Sequence, residues 1–287
     1  MKKIGLLCLL IFGMATTMVQ AHTLWINCFH NESHAIVSLG WGHMLPLDDI
    51  FSSMKLKGFT LLDPGLKEIE LRKPILTPIP SRDKEKKDIN VYDADFATQK
   101  IVLNKDSAAG VYQLAAVSLP NYWTEYIDKK GRKRVKTKPM DEVDDIDKII
   151  GAMKYQAFAK TYLTHGEWHM PEPLGHGLEI TPRTDLSNLH AGDMVEVEVL
   201  FNGEPLTATY KGFPCITASS TSYGQIDKFR LMSYIGDGQA QMRLPTAGLW
   251  EMSLYHIENV TKDGPLKNEY GKATQVFHAA SLTFRVN

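Results

Sequence analysis

Short runs of alternating apolar and polar residues, separated by Gly, Pro and Asp, constrain the fold of this 287-residue chain more than any other feature. A period of two residues is the pattern of strands that bury one face. Short strands at this spacing predict antiparallel β-sandwiches and not a parallel sheet. The predicted strands cover residues 23–28, 35–39, 56–62, 68–72, 100–103 and 110–117 in the first half, and 177–181, 194–201, 206–211, 229–235, 239–244, 249–256 and 273–286 in the second.

The pattern changes between these two groups of strands. Residues 128–138 (DKKGRKRVKTK) are basic around a glycine, and residues 141–147 (DEVDDID) are acidic. We interpret the basic run as a solvated hairpin tip, with an anion-binding patch as the alternative. The acidic run suits a helix N-terminus, and the positions that follow have helical spacing. These positions are Ile146, Ile150, Met153, Ala157 and Thr161.

The chain is therefore predicted to be all-β, with two β-sandwich domains and a short helical insertion between them. The domain boundary is placed in Pro171-Glu172-Pro173, after the predicted helix. The predicted parts are a signal peptide at 1–21, an N-terminal β-sandwich at 22–127, a basic hairpin and helical connector at 128–172, and a C-terminal β-sandwich at 173–287.

The first 21 residues have the pattern of a secretory signal. Lys2 and Lys3 precede an apolar segment at 4–14, and Val19-Gln20-Ala21 forms a small-residue cleavage site. The apolar segment is short for a membrane span, although a retained N-terminal anchor is the alternative. These features are typical of a bacterial exported protein, so we expect a periplasmic location and no stable membrane insertion after cleavage.

The net charge bears on the class of partner, and the cysteine content bears on whether the exported chain holds a disulfide. The formal net charge of −1 argues against a nucleic-acid partner, which requires a basic face. Cys8 would leave with the signal peptide, and Cys28 and Cys215 would remain. Whether these two pair in an oxidising compartment stays open at this point.

Histidines carry the strongest chemical signal. Cleavage after Ala21 would give His22 a free α-amine beside its imidazole, and together these groups can chelate one metal ion. Nitrogen donors of this kind suit Cu(II), Ni(II), Zn(II) and Co(II). His43 lies in the glycine-flanked turn GWGHMLP, and three more histidines fall within residues 164–180. The predicted metal ligands are His22, His43, His165, His169 and His176.

Several ordered blocks resemble a known family over nearly the whole exported chain. They include AHTLWIN, SLGWGHMLPLDD at 38–49, LKGFTLLDPGLKEIEL at 56–71, the long stretch at 173–206, and TAGLWEMSLYH at 246–256. The chain is similar to periplasmic nickel/cobalt-uptake components, a family formerly described as a domain of unknown function associated with nickel transport.

This resemblance implies immunoglobulin-like β-sandwiches and periplasmic handling of Ni(II) or Co(II). His22, His43 and His176 stand at its matching positions, whereas His165 and His169 come from the residue pattern alone. The chain has no dense histidine tract of the kind that a bulk metal store would carry.

Three functions follow from these observations. The first is a non-enzymatic carrier that binds Ni(II) or Co(II), with Cu(II) or Zn(II) as further candidates, and delivers the metal to a membrane uptake transporter. The second is a copper oxidase that uses a histidine brace at the processed N-terminus. The third is a structural or adhesive sandwich protein with no metal. No Ser/His/Asp arrangement supports hydrolysis, so the sequence predicts no enzyme.

Overall fold

The computed structural model describes residues 22–31, 34–75, 94–208, 213–224 and 229–287. The predicted signal peptide lies outside these residues, as do positions 209–211 of the predicted strand 206–211. Within the described part, strand makes up 53% of the structure and helix 4%, with no helix of seven residues or more. These values confirm the prediction of an all-β sandwich fold.

Seventeen strands form within the described residues. In chain order they are β1 (Thr23–His30), β2 (Ala35–Gly42), β3 (Leu56–Leu62), β4 (Glu68–Glu70), β5 (Gln99–Ile101), β6 (Gly110–Ser118), β7 (Asn121–Asp128), β8 (Lys133–Lys136), β9 (Ile146–His165), β10 (Leu178–Pro182), β11 (Met194–Phe201), β12 (Glu204–Pro205), β13 (Cys215–Ser220), β14 (Leu231–Tyr234), β15 (Gln239–Arg243), β16 (Gly248–Asn259) and β17 (Gln275–Val286). The helical residues are 3₁₀ turns at Ser53–Lys55, Met140–Glu142 and Lys267–Glu269.

A central ten-stranded sheet organises the molecule. Its main path runs β14-β13-β16-β17-β9-β6-β3-β4, and β7 pairs with both β8 and β9. Strands β1, β2 and β5 form one smaller sheet, and β10, β11, β12 and β15 form another. Because both β1 and β10 contact β9 and β17, each smaller sheet covers the middle of the central sheet.

The long strand β9 contributes to two hydrophobic cores. One core, the N-terminal core, joins Tyr155 and Ala157 of β9 with Leu24 and Ile26 of β1. The other, the C-terminal core, joins Phe158 of β9 with side chains from the second smaller sheet and from β16 and β17, including Leu178, Ile180, Val197, Trp250 and Leu282. Since successive strand residues point to opposite faces, the two cores lie on opposite sides of the central sheet.

The predicted helical connector is wrong, because residues 146–165 form the 20-residue strand β9. The second half of this strand is buried on both faces, so apolar residues occupy odd and even positions alike. Apolar residues on both faces hide the two-residue period, and the three- and four-residue spacing read as helical was incidental. The boundary at Pro171-Glu172-Pro173 stays a prediction.

The rest of the segment 128–172 also has more strand than the sequence indicated. Strands β7 and β8 pair as an antiparallel hairpin, and the basic run 128–138 supplies its turn and its outer strand. The described residues contain no helix that is both long and apolar enough to cross a membrane.

Candidate metal centre

His22 directly precedes β1, the strand that packs on β9 and β17 in the middle of the central sheet. The phenol of Tyr155 donates a 2.6 Å hydrogen bond to the His22 carbonyl oxygen. The next outward carbonyls of β1 are capped in the same way, since the Ser281 hydroxyl donates to the Leu24 oxygen and the Thr283 hydroxyl to the Ile26 oxygen. These hydroxyls fix where β1 begins, and therefore where His22 sits.

His43 is placed by the turn that follows β2. Gly42 has a φ of +127°, a conformation that L side chains rarely adopt, and a Cβ atom there would collide with the Asp48 side chain. The Asp48 carboxylate accepts a 2.7 Å hydrogen bond from the His43 backbone N–H. The Asp49 N–H donates to the Trp41 carbonyl oxygen at 2.9 Å, which closes the loop.

Two buried side chains of β1 hold the same loop from below. Trp25 Nε1 donates to the Pro46 carbonyl oxygen at 3.0 Å, and Asn27 Nδ2 donates to the same oxygen at 2.9 Å. The Asn27 amide also reaches the Ser38 hydroxyl at 3.2 Å. The loop that carries His43 is therefore anchored to the strand that begins next to His22.

This arrangement brings the imidazoles of His22 and His43 together. Their ring centroids are 4.6 Å apart, with the ring planes at 79°. The Trp41 indole lies 5.4 Å from the His22 ring at 83°, and it packs on Phe51 at 4.8 Å. The two predicted ligands thus meet against an aromatic wall at the edge of the N-terminal core.

The surroundings of His22 favour the neutral form of its imidazole. Burial, followed by the neighbouring His43, lowers the pKa of His22, while Asp49 and Asp48 oppose that shift. A lowered pKa favours the neutral imidazole, which has a free lone pair for a metal ion. The exposed carboxylates of Asp48 and Asp49 add negative potential near the rings.

The pair alone is an incomplete ligand set. Within the described residues, no three His, Cys, Asp or Glu side chains converge into a metal site. Two imidazole nitrogens suit Cu(II), Ni(II), Co(II) and Zn(II), but tight binding of these ions needs a further donor. An α-amine on His22 would supply a third nitrogen next to the pair.

His165 and His169 lie far from this pair. Tyr155 contacts His22, and His165 is ten residues farther along the same strand. At a rise of about 3.3 Å per residue, roughly 33 Å of strand separates His165 from Tyr155. His169 is exposed in the segment after β9. The structure therefore does not bring either histidine to His22 and His43.

His176 lies on the opposite face of the central sheet. Its ring stacks on Phe158 at 5.3 Å, in the C-terminal core. Burial lowers the pKa of His176 to about 4, with smaller contributions from Lys160 and Lys57, and Glu179 opposes the shift. His176 is thus a half-buried side chain that favours the neutral form, separated by the sheet from His22 and His43.

Beside His176 lies a buried ion pair that the sequence did not indicate. Lys160 Nζ donates to Glu179 Oε1 at 2.6 Å, and the two side chains are 2% and 1% exposed. The Glu179 carboxylate also accepts backbone N–H groups from Leu174, Gly175 and His176 at 2.7, 3.0 and 3.1 Å. With these donors the buried charge is fully compensated, which gives it a structural role in joining β9 to β10.

The residues that position the histidine pair were also missed at the sequence level. Tyr155, Trp25 and Asn27 act through bonds to distant backbone oxygens, and a linear pattern carries no signal for such contacts. The two glycines that precede His43 were the one available signal, and Gly42 does occupy a backbone conformation that favours glycine.

The cysteines take no part in this site. Cys28 and Cys215 are both free, Cys28 buried in the N-terminal core and Cys215 half-buried. Burial raises the pKa of the Cys28 thiol to about 12, so the reactive thiolate is strongly disfavoured. The two cysteines therefore form no disulfide with each other in this structure.

Comparison with known proteins places the chain in a family whose role is undefined. Residues 19–258 match the family described as Domain of unknown function (DUF4198), and the chain belongs to that family. No curated protein shows significant similarity to the chain. The matched range begins just before His22 and includes both histidines of the pair.

Proposed function

We propose that this protein binds a divalent transition-metal ion, Ni(II) or Co(II), in the periplasm and delivers it to a membrane uptake transporter. The observation that carries the proposal is the contact between His22 and His43, whose rings are 4.6 Å apart. The resemblance to nickel/cobalt-uptake components supports the choice of metal.

The donor set fits a cargo that must be taken up and released. The α-amine and imidazole of His22, with the His43 imidazole, offer three neutral nitrogens and no thiolate. Such a set binds borderline metals at neutral pH without forming the closed cage of a structural site. Asp48 and Asp49 attract the cation, and the half-buried position of both rings leaves a side open for transfer.

The binding state of the site depends on processing. While Ala21 precedes His22, the His22 nitrogen is an amide and a poor donor, so only two imidazoles are available. Cleavage converts that amide to an amine next to its own imidazole. The chain would therefore acquire its full affinity only after export.

One observation favours copper chemistry as a second candidate. A processed terminal histidine and one internal histidine form the ligand set of a histidine brace, and intrinsic affinity for nitrogen ligands is highest for Cu(II). Under this alternative the site would hold copper and activate oxygen. Oxygen-dependent turnover of the copper-loaded protein with a reductant distinguishes it from a carrier.

The proposal is tested by calorimetric titration of Ni(II), Co(II) and Cu(II) into protein that begins at His22. A second form retains Ala21 with an acetylated N-terminus, which converts the His22 amine to an amide, leaves no free α-amine nearby and keeps every imidazole in place. We expect the extended form to bind at least ~10-fold more weakly, a loss of ~1.4 kcal/mol.

Substitutions separate the pair from the other histidines. His43→Ala should weaken binding by a similar factor, whereas the exposed His190→Ala serves as the matched control and should change nothing. Replacing His165, His169 or His176 tests the remaining predicted ligands, and the structure leads us to expect no effect. Equal binding by both N-terminal forms contradicts the amine ligand, and no binding by either form favours a metal-free structural protein.

A further inference from the structure

A cleft lies between the β7–β8 hairpin and the segment 137–145, which leads from β8 back to β9. Its volume is about 470 Å³, within the range of small-molecule sites. Two hydrogen bonds hold the segment against the hairpin. The Thr124 hydroxyl donates to the Lys138 carbonyl oxygen at 2.7 Å, and the Lys129 N–H donates to the Asp145 carbonyl oxygen at 3.0 Å. The residues that line the cleft include none of the predicted metal ligands.

One wall of the cleft carries two arginines that a buried carboxylate holds together. Arg132 Nε and Arg134 Nε both donate to Asp128 Oδ2, at 2.8 and 3.3 Å, and the Asp128 side chain is 5% exposed. Asp128 Oδ1 accepts the backbone N–H groups of Lys130 and Arg132, each at 2.9 Å. The hydrogen bond from the Arg132 backbone, with those from the two guanidinium groups, keeps the pKa of Asp128 well below its usual range.

The shared oxygen brings the two guanidinium groups close together and leaves part of each unused. Both donate to Asp128 through Nε, and neither pair of η nitrogens has a hydrogen-bond partner among the described residues. Guanidinium N–H groups match the oxygens of carboxylates and phosphates in geometry and charge. One guanidinium can occupy both oxygens of a carboxylate, whereas a phosphate ester can offer an oxygen to each of two guanidinium groups. The arginine pair therefore fits a phosphate ester.

The opposite wall of the cleft is acidic. Glu142, Asp144 and Asp145 line it, and all three are exposed and make no ion pair within the described part of the chain. Lys136 and Lys138 add to the basic wall, again without an ion pair to a described residue. Counting the carboxylate beneath the arginines, four cationic side chains face four carboxylates, so the formal charges of the cleft cancel.

We propose that this cleft binds a zwitterion that carries a phosphate ester and a primary ammonium group. The phosphate lies on the arginine pair, and the ammonium donates to the carboxylates of the acidic wall. A free anion would be attracted by one wall and repelled by the other, whereas opposite charges within one ligand match both walls. Two sources have this chemistry, a soluble phosphoester and the ethanolamine headgroup of a membrane phospholipid.

Calorimetric titrations with three probes test the pairing of charges. The probes are glycerophosphoethanolamine, glycerophosphocholine and inorganic phosphate. Choline keeps the positive charge of ethanolamine but has no N–H group to donate, and inorganic phosphate has no cation. We expect the ethanolamine ester to bind at least ~5-fold more tightly than either of the other probes, because only it makes hydrogen bonds to both walls. Equal affinities, or no binding of the ethanolamine ester, overturn the proposal.

Substitutions in each wall test the assignment. Arg132→Lys/Arg134→Lys keeps both charges and removes the planar donor groups, so affinity for the ethanolamine ester should fall at least ~10-fold. The buried Asp128 keeps its two backbone hydrogen bonds in this variant. Glu142→Gln/Asp144→Asn changes only exposed side chains and should abolish the preference for ethanolamine over choline.

Lys130→Gln is the matched control, because it removes one charge from the same basic run but does not line the cleft. Its affinity for the ethanolamine ester should equal that of the parent protein. An unchanged affinity in the arginine variant contradicts the phosphate position. An unchanged preference in the acidic-wall variant contradicts the ammonium position, and this second variant remains informative if the arginine variant unfolds.

Sedimentation with lipid vesicles separates the two sources of the ligand. Vesicles that contain phosphatidylethanolamine and phosphatidylcholine are compared with vesicles of phosphatidylcholine alone. Retention on the ethanolamine vesicles, lost in the arginine variant, assigns the cleft to a lipid headgroup. No retention on either, with the soluble ester still bound, assigns it to a soluble phosphoester. Equal retention on both kinds of vesicle contradicts recognition of the ammonium group and overturns the proposal.

Discussion

At the scale of single residues, two buried tryptophans make the same hydrogen bond in different parts of the molecule. Trp25 Nε1 donates to the Pro46 oxygen at 3.0 Å, and Trp250 Nε1 donates to the Thr246 oxygen at 2.9 Å. Both side chains are 0% exposed. Only Trp25 holds the loop that carries His43, so the pair allows stability to be separated from site geometry.

We predict that Trp25→Phe and Trp250→Phe each destabilise the protein by roughly 1–3 kcal/mol, because each loses a buried hydrogen bond and some packing. Only Trp25→Phe should also weaken metal binding to the processed protein. Denaturant titration and calorimetry measure the two effects. Equal metal affinities in the two variants would show that the Pro46 contact does not position His43.

His176 supports a prediction about acid stability. Its pKa is about 4 in the folded protein and 6.5 in the unfolded chain. Between these values the unfolded chain binds more protons, so stability is present above pH 6.5 and is lost as the pH falls towards 4. The loss attributable to this residue is about 3 kcal/mol.

His176→Phe should therefore reduce the acid sensitivity while keeping a ring stacked on Phe158. The free energy of unfolding, measured by denaturant titration from neutral pH down to the folded pKa, should fall about 2–3 kcal/mol less in the variant than in the parent protein. The exposed His169→Phe is the control and should leave the slope unchanged. Parallel pH profiles for His176→Phe and the parent would contradict the assignment.

At the scale of elements, β9 shows where sequence patterns were sufficient and where they failed. Strands with one buried face, such as β11 and β15, kept a two-residue period and were predicted close to their observed bounds. Strand β9 is buried on both faces over its second half, so its period disappeared. A strand shared by two cores cannot be recognised from its own residues, because its second face depends on a sheet formed elsewhere in the chain.

The predicted metal ligands also include some that the sequence pattern located correctly and some that it grouped wrongly. His22 and His43 were predicted from their local context, one after a predicted cleavage site and the other directly after Gly42, and the structure brings them together. His165, His169 and His176 were grouped because they are close in sequence. An extended chain separates such neighbours: β9 carries His165 roughly 33 Å beyond Tyr155, and His176 lies across the sheet.

At the scale of the whole molecule, the shared central sheet makes the two cores dependent on each other. Strand β9 pairs in parallel with β17 and antiparallel with β6, so each core is built on the same hydrogen-bonded strands. Unfolding either core would expose one face of β9. It would also remove strands that support the other core through their pairing with β9. We therefore predict a single cooperative unfolding transition.

Two matched leucines test this cooperativity. Leu114 lies in the N-terminal core and Leu244 in the C-terminal core, and both are 0% exposed. Leu114→Ala and Leu244→Ala should each cost about 2–5 kcal/mol and lower the same melting temperature, by roughly 2–4 °C per kcal/mol. Calorimetry that resolves two transitions, with each substitution shifting only one of them, would show that the cores unfold separately. A single shifted transition in both variants would mean that a perturbation in the C-terminal core also lowers the stability of the strands that hold His22 and His43.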